Sequence, residues 1–167
     1  MDIQISTVVD AEVDAIAALA RVVWQDTYSK IISQAQIDFM LAQRYNASRL
    51  IEELGTPGIC WKKATADGQL LAFVATVPGE IPGEMKLDKL YVDPHRQRLG
   101  VGGQIIDHVS RRARSEGCHT LILAVNKRNA RAIAAYKKYG FAVREAVCVE
   151  IGNDFVMDDF IMGKSLT

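Results

Sequence analysis

The stretch from Met85 to Ser115 constrains the fold more than any other. An apolar run, Met85 to Val92, stops at Pro94 and passes a basic turn, His95-Arg96-Gln97-Arg98. It then meets Gly100-Val101-Gly102-Gly103 and an amphipathic segment, Val101 to Ser115, that reads as a helix closed by Gly117. Three glycines in four positions cost backbone entropy unless the chain needs them. A strand that delivers a glycine turn to a helix N-terminus makes an anion site, with free N–H groups, partial positive charge and no Cβ in the way. Arg96 and Arg98 add charge-assisted donors for phosphate oxygens. A dinucleotide-type G-x-G-x-x-G would need glycine where Ile105 stands, and a Walker loop would need G-K-[ST]; neither fits. The turn reads as a pyrophosphate cradle of a different type, or as a bare glycine turn starting a helix.

Around this unit, strands and helices alternate. Ile3 to Val9 alternates like a strand, and Asp10 is a candidate N-cap for a helix from Ala11 to about Tyr28. Ser33 to Leu54 reads as one or two helices ended by Gly55, Pro57 and Gly58. Ile59 to Thr65 and Leu70 to Val77 flank Asp67-Gly68, a hairpin signal. Thr120 to Val125 is a β-branched strand, and Asn129 to Tyr139 is a helix ended by Gly140. Two strands follow, Phe141 to Ile151 and Phe155 to Ile161, with Asn153-Asp154 near their turn. The expectation is one α/β domain over residues 1–167, with a single mixed sheet and flanking helices.

Parity within the Met85 strand raises a question. Met85 and Leu87 share one face, whereas Leu90 and Val92 have the opposite parity. Either one inserted residue near Asp88-Lys89 brings both pairs to the same face, as a β-bulge, or the strand is buried on both faces.

Composition narrows the function classes. The 167 residues are 49% hydrophobic and 24% charged, as in an ordinary globular protein, with no run that approaches a membrane span. MDIQISTVVD lacks the basic and apolar regions of a secretory signal, so none is expected. Cys60, Cys118 and Cys148 are odd in number and form no C-x-x-C, which points to the reduced cytoplasm and away from a structural metal. Net charge is zero, but Lys86 to Arg144 carries 13 Lys/Arg against 4 Asp/Glu, a balance of +9 that the remainder offsets. Either this is solvated surface, or the centre meets an anion while the flanks face a cation. Nucleic acid is the weaker reading, because the chain as a whole has no basic excess.

A second constellation joins the first. In NKRNARAIAAYKKYGF, Asn129, Ala132, Ile133 and Tyr136 share one helix face. Ala132 leaves room for a ligand along that face. Tyr136 offers a phenol that near neutral pH is a proton donor, unless it is ordinary half-buried packing. Together the two blocks resemble the GNAT superfamily of acetyl-CoA-dependent N-acetyltransferases. Gln97-Arg98-Leu99-Gly100-Val101-Gly102 matches that family's [QR]-x-x-G-x-[GA] loop, and Leu90-Tyr91-Val92-Asp93-Pro94 is similar to the strand and proline before it. Asn129, Ala132, Tyr136, Gly140 and Phe141 match the N-x-x-A-x-x-x-Y-x-x-x-G-F block that follows. The match runs from about Leu87 to Arg144, and one departure is Arg98, where many relatives have glycine.

The resemblance implies a largely antiparallel sheet with a splayed central strand pair, here Leu90–Val92 and Leu121–Val125. It implies that backbone N–H groups from Arg98 through Leu99, Gly100, Val101, Gly102 and Gly103 hold the pyrophosphate of acetyl-CoA, with Gln97, the first residue of the loop motif, also binding the cofactor. Leu90, Tyr91 and Val92 would pair with the pantetheine arm, with the Val92 N–H polarising the thioester carbonyl. Asn129 would orient that arm, and Tyr136 would protonate the departing thiolate. Many relatives carry a glutamate about where Lys86 stands, so the general base falls to Asp88 or Glu84 through water, or to solvent.

The acceptor amine is expected to meet Trp24, Asp26 and Tyr28, together with Glu84 and Asp159; for each, core packing or plain exposure is the competing reading. Trp24-Gln25-Asp26-Thr27-Tyr28 and FVMDDFIMGKSL resemble the branch containing bacterial spermidine/spermine acetyltransferases. A polyamine-like small molecule is therefore the leading acceptor. A peptide or protein N-acetyltransferase and a non-catalytic acyl-CoA-binding module are the alternatives. No metal, membrane or nucleic acid is expected as partner, and a homodimer is an open assembly.

Overall fold

The computed structural model describes residues 2–96 and 99–167. One mixed sheet has the strand order β1-β2-β3-β4-β5-β7-β6, with helices flanking it. The strands are β1 (Gln4–Thr7), β2 (Cys60–Ala66), β3 (Gln69–Pro78), β4 (Glu84–Val92), β5 (Thr120–Asn126), β6 (Ala142–Gly152) and β7 (Phe155–Ser165). The helices are α1 (Val13–Tyr28), α2 (Gln34–Arg44), α3 (Ala47–Leu54), α4 (Val101–Ser115) and α5 (Ala130–Lys138). Residue contacts group the chain into two compact units, Met1–Val77 with Lys89–Ile105 and Pro78–Asp88 with Ile106–Thr167.

In the first unit, β1 pairs antiparallel with β2, and β2 with β3. Asp67 and Gly68 both have positive φ, 51° and 75°, the geometry of a type I′ hairpin turn whose twist matches the strands. The expected helix from Ala11 starts later. Asp10–Glu12 form one 3-10 turn, and α1 begins at Val13. The Ser33 to Leu54 stretch divides in two because it carries two N-caps. Ser33 Oγ accepts from Gln36 N at 3.1 Å, and Asn46 Oδ1 accepts from Arg49 N at 2.8 Å. The inward stripe of α1 (Val13, Ile16, Ala17, Ala20, Val23, Trp24, Tyr28) is buried with Ile37, Met40, Leu50, Leu71 and Phe73.

In the second unit, β4 runs parallel to β5, with Glu84, Met85 and Lys86 opposite Thr120, Leu121 and Ile122. β5 pairs antiparallel with β7, and β7 with β6. The β6–β7 turn uses Asn153 and Asp154 at φ 55° and 61°, a second type I′ pair. α5 stops in a Schellman motif. The Phe141 N–H donates to the Tyr136 carbonyl and the Gly140 N–H to that of Lys137, with Gly140 at φ +96°.

Candidate active site

β4 and the turn after it build the cofactor half of the site. Burial alternates from Met85 to Leu90, with Met85, Leu87 and Lys89 buried and Lys86, Asp88 and Leu90 half-buried; Glu84 is also buried, and Tyr91 and Val92 are half-buried. Tyr91 continues the parity of Lys89: its ring lies 5.8 Å from that of Phe73 and 6.0 Å from that of Trp24, and its hydroxyl is 3.4 Å from that of Tyr28. Leu90 and Val92 hold the other parity and are half-buried. Beyond β4, the Asp93 N–H donates to the Leu71 carbonyl at 2.8 Å, and Asp93 Oδ1 accepts from His95 N at 2.9 Å. This fixes the start of a 3-10 turn at Pro94–Arg96, after which Gln97 and Arg98 fall outside the described residues.

Gly100 adopts φ +77°, a conformation that penalises a side chain, although a Cβ there would meet nothing within 4 Å. Its carbonyl accepts from Gln104 N at 3.1 Å, which closes the first turn of α4. The amides of Val101, Gly102 and Gly103 precede that bond and carry the orphan donors of the helix. A Cβ on Gly102 would touch Val92 Cγ2 at 3.8 Å and nothing nearer. The glycine is therefore not needed for packing within the protein. A helix terminus whose first glycines carry no Cβ fits an anionic group approaching the backbone.

α5 carries the second set of candidates. Asn129 is its N-cap, and Asn129 Oδ1 accepts from Ala132 N at 3.3 Å. Ala132, Ile133 and Tyr136 are half-buried, and α5 has no fully buried residue. Tyr136 packs its ring edge-on to Phe141 at 5.7 Å. The expected helix face is thus present, and the ring is braced by the residue that caps the helix.

The acidic candidates do not converge. Glu84 is buried, and its Oε2 accepts from Arg144 Nη1 at 2.8 Å. It stands opposite Thr120 at the start of β5, whereas Asp159 stands opposite Asn126 at its end. Six residues of strand, about 20 Å, separate those two positions. Asp159 is buried, as is Asn126, whose Oδ1 accepts from Arg128 N at 2.9 Å. Its neighbour Asp158 has the opposite parity and forms an ion pair with Lys127 at 2.6 Å. Asp88 is partly exposed and lies 3.8 Å from Lys86 Nζ.

The α1 candidates divide as well. Trp24 and Tyr28 are buried one turn apart, with ring centroids 4.3 Å from each other. Asp26 is exposed, because two residues of helix turn it about 200° from either ring. The three side chains therefore do not form one wall of a cleft.

Sequence reasoning missed a buried polar centre beside the site strand. Lys89 Nζ lies 3.7 Å from Glu53 Oε1 and over the rings of Trp61 and Tyr45, at 5.4 and 6.0 Å. Glu53 Oε1 also accepts from Trp61 Nε1 at 3.1 Å, and its Oε2 from Arg49 Nε at 2.8 Å. The signal was there: Lys89 has the same parity as Met85 and Leu87.

Comparison with known proteins agrees with this geometry. Residues 16–141 match the acetyltransferase (GNAT) family. The chain is 24% identical over 162 residues to a spermidine N(1)-acetyltransferase of Thermoplasma acidophilum, covering 95% of this chain and 97% of that one. It is 38% identical over 79 residues to the ribosomal protein bS18-alanine N-acetyltransferase of Salmonella typhimurium, covering 47% and 52% of the two chains. The crystal structure of the PaiA N-acetyltransferase from Thermoplasma acidophilum in complex with coenzyme A superposes with a TM-score of 0.85, at 24% identity and 99% coverage of both chains. With the match spanning α1 through the end of α5, the glycine turn and the Asn129–Tyr136 face included, this chain belongs to the GNAT family of acetyltransferases.

Proposed function

We propose that the protein transfers the acetyl group of acetyl-CoA to a primary amine of a small cationic acceptor, polyamine-like in chemistry, in the cytoplasm. The observation that carries this reading is the opening of α4, where Gly100 and Gly102 put no side chain of their own beside the helix donors and packing within the protein does not require them. Amides from Leu99 to Gly103, together with Gln97 and Arg98, hold the pyrophosphate. Backbone groups of Leu90, Tyr91 and Val92 align the pantetheine arm, and the Val92 N–H stabilises negative charge on the thioester oxygen. The thioester supplies an activated acyl group; the protein supplies position and electrostatics.

The amine nitrogen attacks the carbonyl carbon directly. A C–N bond forms, the C–S bond breaks, the amine loses its proton to solvent or to Asp88 through water, and Tyr136 gives its phenolic proton to the thiolate. Asn129 caps the helix that carries Tyr136, so it positions the acid as well as lining the arm. Glu84 leaves the set of base candidates, since Arg144 already engages its carboxylate. Of the acidic acceptor residues, Asp159 is the one we retain. It is buried opposite Asn126, at the end of β5 that leads to α5.

The relative that matches along nearly its whole length is named for spermidine, which supports the polyamine reading. The shorter match to a ribosomal-protein acetyltransferase keeps a peptide N-terminus as the second reading. An acceptor panel separates them. Cationic amines should outperform neutral isosteres, and Asp159→Asn should raise KM for a polyamine with little change for acetyl-CoA. A peptide N-terminus or a neutral amine that outperforms every polyamine would reject the acceptor assignment. Binding of CoA without turnover of any acceptor would favour the acyl-CoA-binding module.

A further inference from the structure

Lys89 stands directly before Leu90-Tyr91-Val92, and its charge is buried. Its side chain is 7% exposed and that of Glu53 is 8% exposed, with Lys89 Nζ 3.7 Å from Glu53 Oε1. The same ammonium lies over the rings of Trp61 and Tyr45, at 5.4 and 6.0 Å. Three elements therefore grip one group: Glu53 lies on α3, Trp61 on β2 and Tyr45 at the C-cap of α2. A buried ion pair is a poor way to add stability, because a pair of apolar side chains of similar volume often serves as well. What it adds is direction. An ammonium set against a carboxylate and two rings has one place to sit, whereas an apolar chain can slide.

Its place along the strand gives that direction a use. Side chains of a strand alternate between faces, so fixing one parity fixes where the other parity and the peptide groups between them point. On the parity of Lys89, Tyr91 packs on Phe73 at 5.8 Å and on Trp24 at 6.0 Å. Just past the strand, the Asp93 N–H donates to the Leu71 carbonyl at 2.8 Å. The peptide groups from Leu90 to Val92 thus run from an ionic anchor at one end to a backbone hydrogen bond at the other. The Lys89 anchor is the tie most sensitive to register, since a slip of one residue turns its ammonium to the opposite face.

We propose, on the acetyl-transfer reading above, that Lys89 is a positioning residue: held by Glu53, it fixes the roll of Leu90–Val92 so that the Val92 N–H meets the thioester oxygen. The test is Lys89→Met with Glu53→Gln, which removes both charges and keeps an acceptor for Trp61 Nε1. Turnover is followed by thiol release well below the thermal transition. The acceptor is spermidine, or the amine that outperforms it in the acceptor panel. Because an oxyanion donor lost outright costs ~10²–10³ in kcat, a misaimed one should lower kcat per CoA-binding site by ~10-fold or more. KM for acetyl-CoA should stay within about threefold, since the pyrophosphate is held elsewhere. A merely structural role would lower the number of CoA-binding sites and leave kcat per site unchanged. Amide hydrogen exchange reads the same device without substrate: residues 87–93 should lose protection in the variant while α1 keeps its own. Wild-type kcat per site, an effect confined to KM, or unchanged protection of residues 87–93 would overturn the positioning role and leave acetyl transfer standing. A wild-type chain that binds CoA and acetylates no amine would overturn both. Should the double variant fail to fold, Glu53→Gln is read by the same two measurements.

Discussion

Glu53→Ala should be among the most destabilising single changes on α3, although the residue lies outside the reacting groups. Glu53 and Lys89 are 8% and 7% exposed in side chain, and one carboxylate serves Lys89, Trp61 Nε1 and Arg49 Nε. Removing one partner of a buried ion pair costs about 3–5 kcal/mol. The Trp61 donor, left without its acceptor, accounts for about 1–3 kcal/mol of that kind of loss. Arg49 adds little, because its side chain is 53% exposed and solvent screens it. These contributions share one group and do not sum, so the expected loss is about 3–5 kcal/mol. At roughly 2–4 °C per kcal/mol for a chain of this size, Tm should fall by roughly 10 °C. Glu53→Gln keeps an acceptor for Trp61 and should cost less. Lys89→Met with Glu53→Leu removes both charges and should recover the ion-pair part of the loss, leaving about 1–3 kcal/mol for the Trp61 donor without its acceptor. Urea unfolding of the four-member cycle gives the coupling energy directly. A Glu53→Ala cost under about 1 kcal/mol, or additive Lys89 and Glu53 effects, would refute the reasoning.

Further expectations concern the site and one turn. Gly102→Asp places a side chain and a negative charge where phosphate is expected, so it should abolish most of the CoA-induced rise in Tm; an unchanged rise would remove the cradle. Tyr136→Phe should retain CoA binding and lower kcat by ~10-fold or more; wild-type turnover, with product release shown not to limit the rate, would leave the acid unassigned. Gly83→Ala should destabilise more than Gly68→Ala in urea unfolding. Both glycines have positive φ, +86° and +75°, but only at Gly83 would a Cβ collide with His119, at 2.5 Å from its Nε2. Equal losses would mean that His119 simply moves aside.

Local chemistry in the sequence carried most of the fold. Periodicity and turn residues located each strand and helix within a few positions, because Asp67-Gly68, Asn153-Asp154 and Gly140 impose backbone conformations that few other residues tolerate. The glycine turn that opens α4 was legible for the same reason: Gly100 takes a positive φ that glycine tolerates best. The placement of the acidic candidates was not. Glu84 and Asp159 were read as acceptor residues from charge, strand parity and resemblance, and their separation along β5 depends on strand register. Glu84 is claimed by Arg144, sixty residues away. Lys89 escaped notice because a lysine is assumed exposed, yet parity placed it with Met85 and Leu87.

The central claim is acyl transfer to an amine, and its direct test is product analysis of one reaction. The purified chain is mixed with acetyl-CoA and spermidine, free thiol is followed over time, and the amine is examined by mass spectrometry. The account predicts that thiol release requires the amine, that it matches the appearance of singly acetylated spermidine mole for mole, and that Tyr136→Phe slows both together. Thiol release that is indifferent to the amine, or a chain that binds CoA yet acetylates no amine offered to it, would contradict it.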